Sequence, residues 1–217
     1  MKTTLITLFL ILSTLIPSVN SGIIEQYLLS LPPEALETLR ANPKRIDPKE
    51  SNHQRELLRK ATNAFADANL DGSLARGMLR IESKVGTYML SPTGCKGYYQ
   101  FCKRTARKYK LNNPNDFNAS TQAAIRLAHD NKLLLKRYGV PDSNFHTYLA
   151  HMVGPYSVKL IERLKRGDKL TRKNRNTLRS VILPNWSRAL GRKSGNIRTI
   201  SIKFYNHWED KYLKAAF

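Results

Sequence analysis

The segment IESKVGTYMLSPTGCKGYYQF, residues 81–101, carries the side chains best suited to chemistry. Glu82 stands at the end of a helical stretch whose inward positions are apolar: Leu74, Met78, Leu79 and Ile81. An apolar helix body desolvates a carboxyl at its end and raises its pKa, as a general acid working near neutral pH requires. A loop rich in turn formers follows, Ser91-Pro92-Thr93-Gly94 and then Gly97. Ser91 is a candidate to hydrogen-bond Glu82 and orient it. Gly94 and Gly97 would let a ligand approach the backbone closely. Gln100, Tyr98 and the neighbouring tyrosines offer amide and aromatic surfaces of the kind that suit carbohydrates. On residue type alone, the default for a lone Glu at a helix end is still a solvated surface position.

The elements that must position these residues read as helices. From Glu56 to Leu70, Leu57, Leu58, Ala61, Ala64, Phe65 and Ala68 recur at three- and four-residue steps, the period of an amphipathic helix. Asp71-Gly72-Ser73 stops that helix and caps the next, about Leu74 to Lys84. Further helices are predicted over about 100–109, 120–138, 144–153 and 155–165, then 176–183 and 198–213. Breaks fall at Asn112 to Asp116, Gly139 and Gly154-Pro155. A short hairpin near Tyr88 to Tyr99 is the one strand signal. The expected fold class is all-α, or α+β at most by that hairpin.

Residues 81–101 also resemble the signature of the soluble lytic transglycosylase family: Glu-Ser, a spacer, Ser, then Gly-Ala-x-Gly-Leu-Met-Gln. The matching residues are Glu82-Ser83, Ser91, Gly94, Cys95, Gly97, Tyr98, Tyr99 and Gln100, followed by Thr105-Ala106. The wording SPTGCKGYYQF is similar to the phage-associated branch. A second block, Tyr148-Leu149-Ala150-His151-Met152-Val153-Gly154-Pro155, resembles the family's Ala-Tyr-Asn-Ala-Gly-Pro motif. There His151 and Met152 replace Tyr and Asn. The resemblance covers about Leu57 to Leu164, and more weakly the remainder.

The resemblance implies the helical lobe of the lysozyme superfamily, closest to goose-type lysozyme. It implies peptidoglycan as substrate, cut between N-acetylmuramic acid and N-acetylglucosamine with formation of a 1,6-anhydro ring. One glutamate, Glu82, would serve as acid and then base, with the substrate's acetamido group assisting, a recognised departure from two-carboxylate glycosidases. Ser91, Gly97, Tyr98, Gln100, Tyr148 and His151 would bind substrate. The loop from Glu82 to Gln100 contains no second acid, and Asp71, Asp116 and Asp130 read as caps or surface charges. A hydrolase of the same fold, like goose-type lysozyme, is the alternative outcome. A non-catalytic cationic wall- or membrane-binding protein is another, motivated by the substitutions at His151 and Met152.

The charge agrees with an anionic partner. Lys and Arg number 37 against 16 Asp and Glu, a net charge of +21, which attracts polyanions. Nucleic acid, an anionic membrane and an acidic cell wall all qualify by charge. The N-terminus disfavours the first. Lys2, the apolar run Leu5 to Ile16, Pro17, and Val19-Asn20-Ser21 before Gly22 have the layout of a secretory signal peptide. The run is shorter than the ~20 residues of a comfortable transmembrane helix. An exported protein, periplasmic or secreted, is therefore expected, and no nucleic-acid motif accompanies the basic surface. The expected organisation is a signal peptide over 1–21, an N-terminal arm over 22–50, a catalytic domain over 51–165 and a basic helical extension over 166–217 packing on it. In that extension Trp186, Tyr205 and Trp208 either stack sugars or bury against the lobe. Cys95 and Cys102 are read equally as a disulfide, which export permits, or as two thiols. No metal or cofactor is expected, and the chain is read as a monomer.

Overall fold

The structure, a computed structural model, describes residues 50–189 and 196–217. The expected signal peptide, the arm as far as residue 49, the turn at 191–195 and the side chain of Trp186 lie outside the described residues. Among the described residues the fold is all-α. Its eight helices are α1 (Asn52–Asp67), α2 (Gly72–Ser83), α3 (Lys103–Lys108), α4 (Phe117–Arg137), α5 (Asn144–Val153), α6 (Pro155–Lys165), α7 (Arg172–Ala189) and α8 (Ile197–Ala216). None of them is long and apolar enough to cross a membrane.

Side-chain caps set the helix starts. Ser51 and Gln54 form a reciprocal capping box on α1. Asp71 accepts from Ser73 N at the start of α2, and Asp116 from Ala119 N at the start of α4. Two of the three spare acids are thus engaged as caps. The third, Asp130, accepts from the Tyr109 hydroxyl at 2.7 Å and from Lys108 at 3.0 Å. Gly154, at φ +80°, ends α5 and admits Pro155 at the first position of α6.

The inward stripes of α1, α2, α4, α5, α6 and α8 meet in one core that includes Phe65, Leu74, Leu79, Tyr99, Tyr148, Leu149, Ile161 and Phe204. The most extensive helix pairing is that of α2 with α8, followed by α1 with α2. Gly77 of α2 makes the first of these close: a Cβ there would meet the Tyr212 ring at 2.5 Å. Arg76 and Arg80 of α2 then donate to the carbonyls of Ala216 and Ala215, at 3.0 and 2.8 Å. The C-terminal helices, expected as an extension packing on the domain, lie in the same unit as α1–α6, spanning residues 50–217.

Several sequence-based boundaries change: α1 begins at Asn52 rather than Glu56, and α7 runs over Arg172–Ala189 rather than about 176–183. The helix predicted over 100–109 begins only at Lys103. Gln100 takes φ +50° and Phe101 pairs with Lys96, so neither can be helical. The hairpin expected near residues 88–99 reduces to isolated antiparallel bridges, Leu90 with Lys96 and Lys96 with Phe101. Cys95 and Cys102 are joined in a disulfide that closes this loop.

Candidate active site

Glu82 is presented by the way α2 ends. Lys84 and Val85 take φ +46° and +52° in succession, a left-handed pair that reverses the chain directly after the glutamate. Left-handed backbone is costly for a β-branched residue such as Val, so the neighbours must hold it there. Val85 is buried and its N–H donates to Leu79 O at 2.9 Å. Ser83, fully buried, accepts from Gly86 N through Oγ and from Tyr88 N through its carbonyl. Gln54 of α1 donates to Lys84 O at 3.1 Å. The Ser of the Glu-Ser pair is therefore a turn brace.

The Glu82 side chain is 16% exposed. It is buried enough to lose much of its hydration and open enough to touch a ligand. Burial is the main cause that raises its pKa, from 4.5 to about 7; the Tyr148 hydroxyl and the positive charge of Lys211 pull in the other direction. Tyr148 is fully buried. Its hydroxyl acts electrostatically on the Glu82 carboxyl but falls short of a well-formed hydrogen bond. The ring is held by stacking on Tyr212, centroids 5.3 Å apart, and by Trp208 at 6.5 Å. No other carboxylate contributes to the Glu82 environment among the described residues.

His151 forms the adjoining wall. Its Nε2 donates to the Tyr99 carbonyl at 3.0 Å and lies 3.9 Å from Glu82 Oε1. Burial drives the imidazole pKa down to about 4, the Tyr99 carbonyl opposing. The ring is consequently neutral at pH 7. The two side chains do not form an ion pair then, and the one ring N–H is committed to the backbone. His151 thus ties α5 to the 97–101 turn and supplies a dry, uncharged surface beside the carboxyl. Met152 is half-buried against the core.

The loop residues act differently from the sequence-based expectation. Ser91 does not orient Glu82: its Oγ accepts from Cys95 N at 2.9 Å and meets Thr93 Oγ1 at 3.0 Å, closing the 91–95 turn. Gly97, at φ +81°, is buried with its Cα against the Pro114 carbonyl, where any Cβ would overlap. Its role is loop packing, and it is Gly94 that faces open space. Tyr98 sits between Gly86 and Phe117, its ring edge-on to Phe117 at 5.0 Å. Gln100 turns its amide nitrogen inward, donating to Tyr88 O at 3.0 Å and Gly97 O at 2.8 Å. Of the seven residues singled out in the sequence, Glu82, Tyr148 and His151 converge. Ser91, Gly97, Tyr98 and Gln100 build the loop beside them.

Sequence reasoning missed Lys211 and Tyr212 and left Trp208 undecided. All three lie on α8. The four-residue spacing of Phe204, Trp208 and Tyr212 signals one buried aromatic stripe, but not the helix against which it packs. Tyr205, the other aromatic left undecided, is buried and bonds His146. Among the described residues no group of three or more His, Cys, Asp or Glu is arranged to hold a metal ion. A desolvated carboxyl at a helix end, flanked by a phenol and a neutral imidazole, can deliver a proton at neutral pH and take one back. No family model, curated protein or solved structure matches the chain.

Proposed function

We propose that the chain is a peptidoglycan lytic transglycosylase of the lysozyme-like superfamily, with Glu82 as its single acid/base. The carrying observation is the Glu82 carboxyl, pushed by burial to about 7 with no second carboxylate acting on it among the described residues. The two motif blocks that resemble the family, around Glu82 and around Gly154-Pro155, supply its elements in this reading: Tyr148 and His151 of the second block stand next to Glu82.

Protonated Glu82 gives its proton to the glycosidic oxygen as the bond from the muramoyl C1 breaks. The substrate's acetamido oxygen supports the cationic carbon. The Glu82 carboxylate then takes the proton from the muramoyl C6 hydroxyl, whose oxygen bonds to C1. No water enters, and the glutamate ends protonated, ready for another cycle. A hydrolase would need a base to activate water while Glu82 is still the acid, and among the described residues no partner carboxylate supports that role. The net charge of +21 concentrates such an enzyme on an anionic wall, in keeping with the expected export.

The test is the mass of soluble products from purified sacculi. Fragments lighter by one water than hydrolytic ones are expected from the wild type, and none from Glu82→Gln. Exclusively hydrated products would replace the reading with a lysozyme. Undiminished lysis by Glu82→Gln would assign the effect to charge alone.

A further inference from the structure

A groove of about 330 Å³ is lined by residues of α1 and α4, and none of Glu82, Tyr148 and His151 borders it. Its volume is at the lower end of the ~300–1,000 Å³ of small-ligand sites. Three carboxamides line it: Asn63 from α1, and Asn118 and Gln122 from α4. Asn118 and Gln122 are four residues apart, and so share one face of their helix. All three are exposed. Among the described residues none of the three side-chain amides has a hydrogen-bond partner within the protein, whereas those of Gln54, Gln100, Asn144 and Asn185 do.

The charge at the groove is balanced on a chain whose net charge is +21. Lys60 and Asp67 are its two charged lining groups, and they cancel. Lys60 Nζ already lies 3.6 Å from Glu56 Oε1. The lining therefore offers hydrogen bonds rather than charge. A carboxamide both donates and accepts, as do the hydroxyl and acetamido groups of an N-acetylated sugar.

The groove backs onto the loop beside Glu82. Thr121 lines it and has its Oγ1 3.2 Å from the Tyr99 hydroxyl, while the Tyr99 carbonyl accepts from His151 Nε2 at 3.0 Å. Phe117, also in the lining, packs against Tyr98. One buried tyrosine thus connects the groove to the wall of the candidate active site.

We propose that this groove is a second, non-catalytic glycan site, which takes an N-acetylated hexosamine unit through Asn63, Asn118 and Gln122. The inference rests on the proposed peptidoglycan cleavage and adds a place, other than the bond being cut, at which the glycan is held. Recognition there runs through hydrogen bonds to a neutral sugar, and needs neither the stem peptide nor a carboxylate.

The experiment is a heteronuclear NMR titration of the full chain carrying Glu82→Gln. The probe is the tetramer of N-acetylglucosamine, a neutral glycan without lactyl groups or peptide. The side-chain amide signals of Asn63, Asn118 and Gln122 are expected to shift along one saturating curve. Gln122→Leu should raise the Kd read from Asn63 by about tenfold, as for the loss of a group that both donates and accepts. Cellotetraose, which lacks acetamido groups, should bind more weakly by about the same factor. No shift of the three amides at millimolar tetramer, an unchanged Kd in Gln122→Leu, or equal binding of cellotetraose overturns the site. Product masses from sacculi are read separately. If products lighter by one water still form and still require Glu82, the proposed function survives the loss of the groove site.

Discussion

Replacing Glu82 by Gln should make the protein more stable above neutral pH while removing its activity. The sign follows from the raised pKa. Below about pH 4.5 the carboxyl is protonated in both folded and unfolded chains, and contributes nothing to pH dependence. Between 4.5 and about 7 the unfolded chain ionises first. Stability therefore falls as pH rises through that window, and the loss is complete above the folded value. At about 1.4 kcal/mol for each tenfold change in proton activity, the distance from 4.5 to about 7 amounts to about 3 kcal/mol. For a unit of this size that is roughly 6–12 °C in Tm. Glutamine keeps the shape and cannot ionise, so the variant should escape the loss. Thermal unfolding of both proteins at pH 4 and pH 8 gives the answer: the variant's advantage should widen by about 3 kcal/mol at the higher pH. A gap that stays constant would mean that Glu82 is not desolvated, and the case for it as a neutral-pH acid would fail. Cleavage of sacculi should drop by about a thousandfold or more in the same variant, and wild-type cleavage should decline as pH rises through about 7.

Four further outcomes follow from neighbouring contacts. His151 should remain neutral throughout the pH 5–8 range, so its imidazole nitrogen shifts in NMR should be flat there; a titration midpoint near 6.5 would refute the buried, backbone-bonded ring. His151→Phe leaves the Tyr99 carbonyl without its donor and should lower stability by about 1–2 kcal/mol by denaturant unfolding, with reduced cleavage. Gly97→Ala forces a side chain into the Pro114 carbonyl at a positive φ and should cost about 2–3 kcal/mol, whereas Gly94→Ala, with open space around it, should pay only the left-handed penalty of about 1 kcal/mol. Reducing the Cys95–Cys102 bond frees a short loop and should lower stability by about 2.5 kcal/mol, read as a lower Tm under reductant that Cys95→Ser reproduces without it.

The sequence by itself determined the helices. Spacings such as Leu57, Leu58, Ala61, Phe65 and the caps Asp71 and Asp116 are local, and local rules suffice because helix hydrogen bonds and caps span only three or four residues. Residue pattern alone left Glu82 a surface acid by default, and it was the resemblance of residues 81–101 and 148–155 to the family's two blocks that made it the candidate. The 97–101 turn escaped local reading: Gly97 is shaped by Pro114, and Gln100 by Tyr88 and Gly97. A helical start was read where a left-handed residue and a disulfide prevail. Tertiary structure alone decided what kind of acid Glu82 is. Its desolvation, the Tyr148 hydroxyl beside it, the neutral imidazole of His151 and the charge of Lys211 come from segments up to 129 residues away. A pKa is set by what surrounds a group in space, and no periodicity along the chain records that α8 closes on α2.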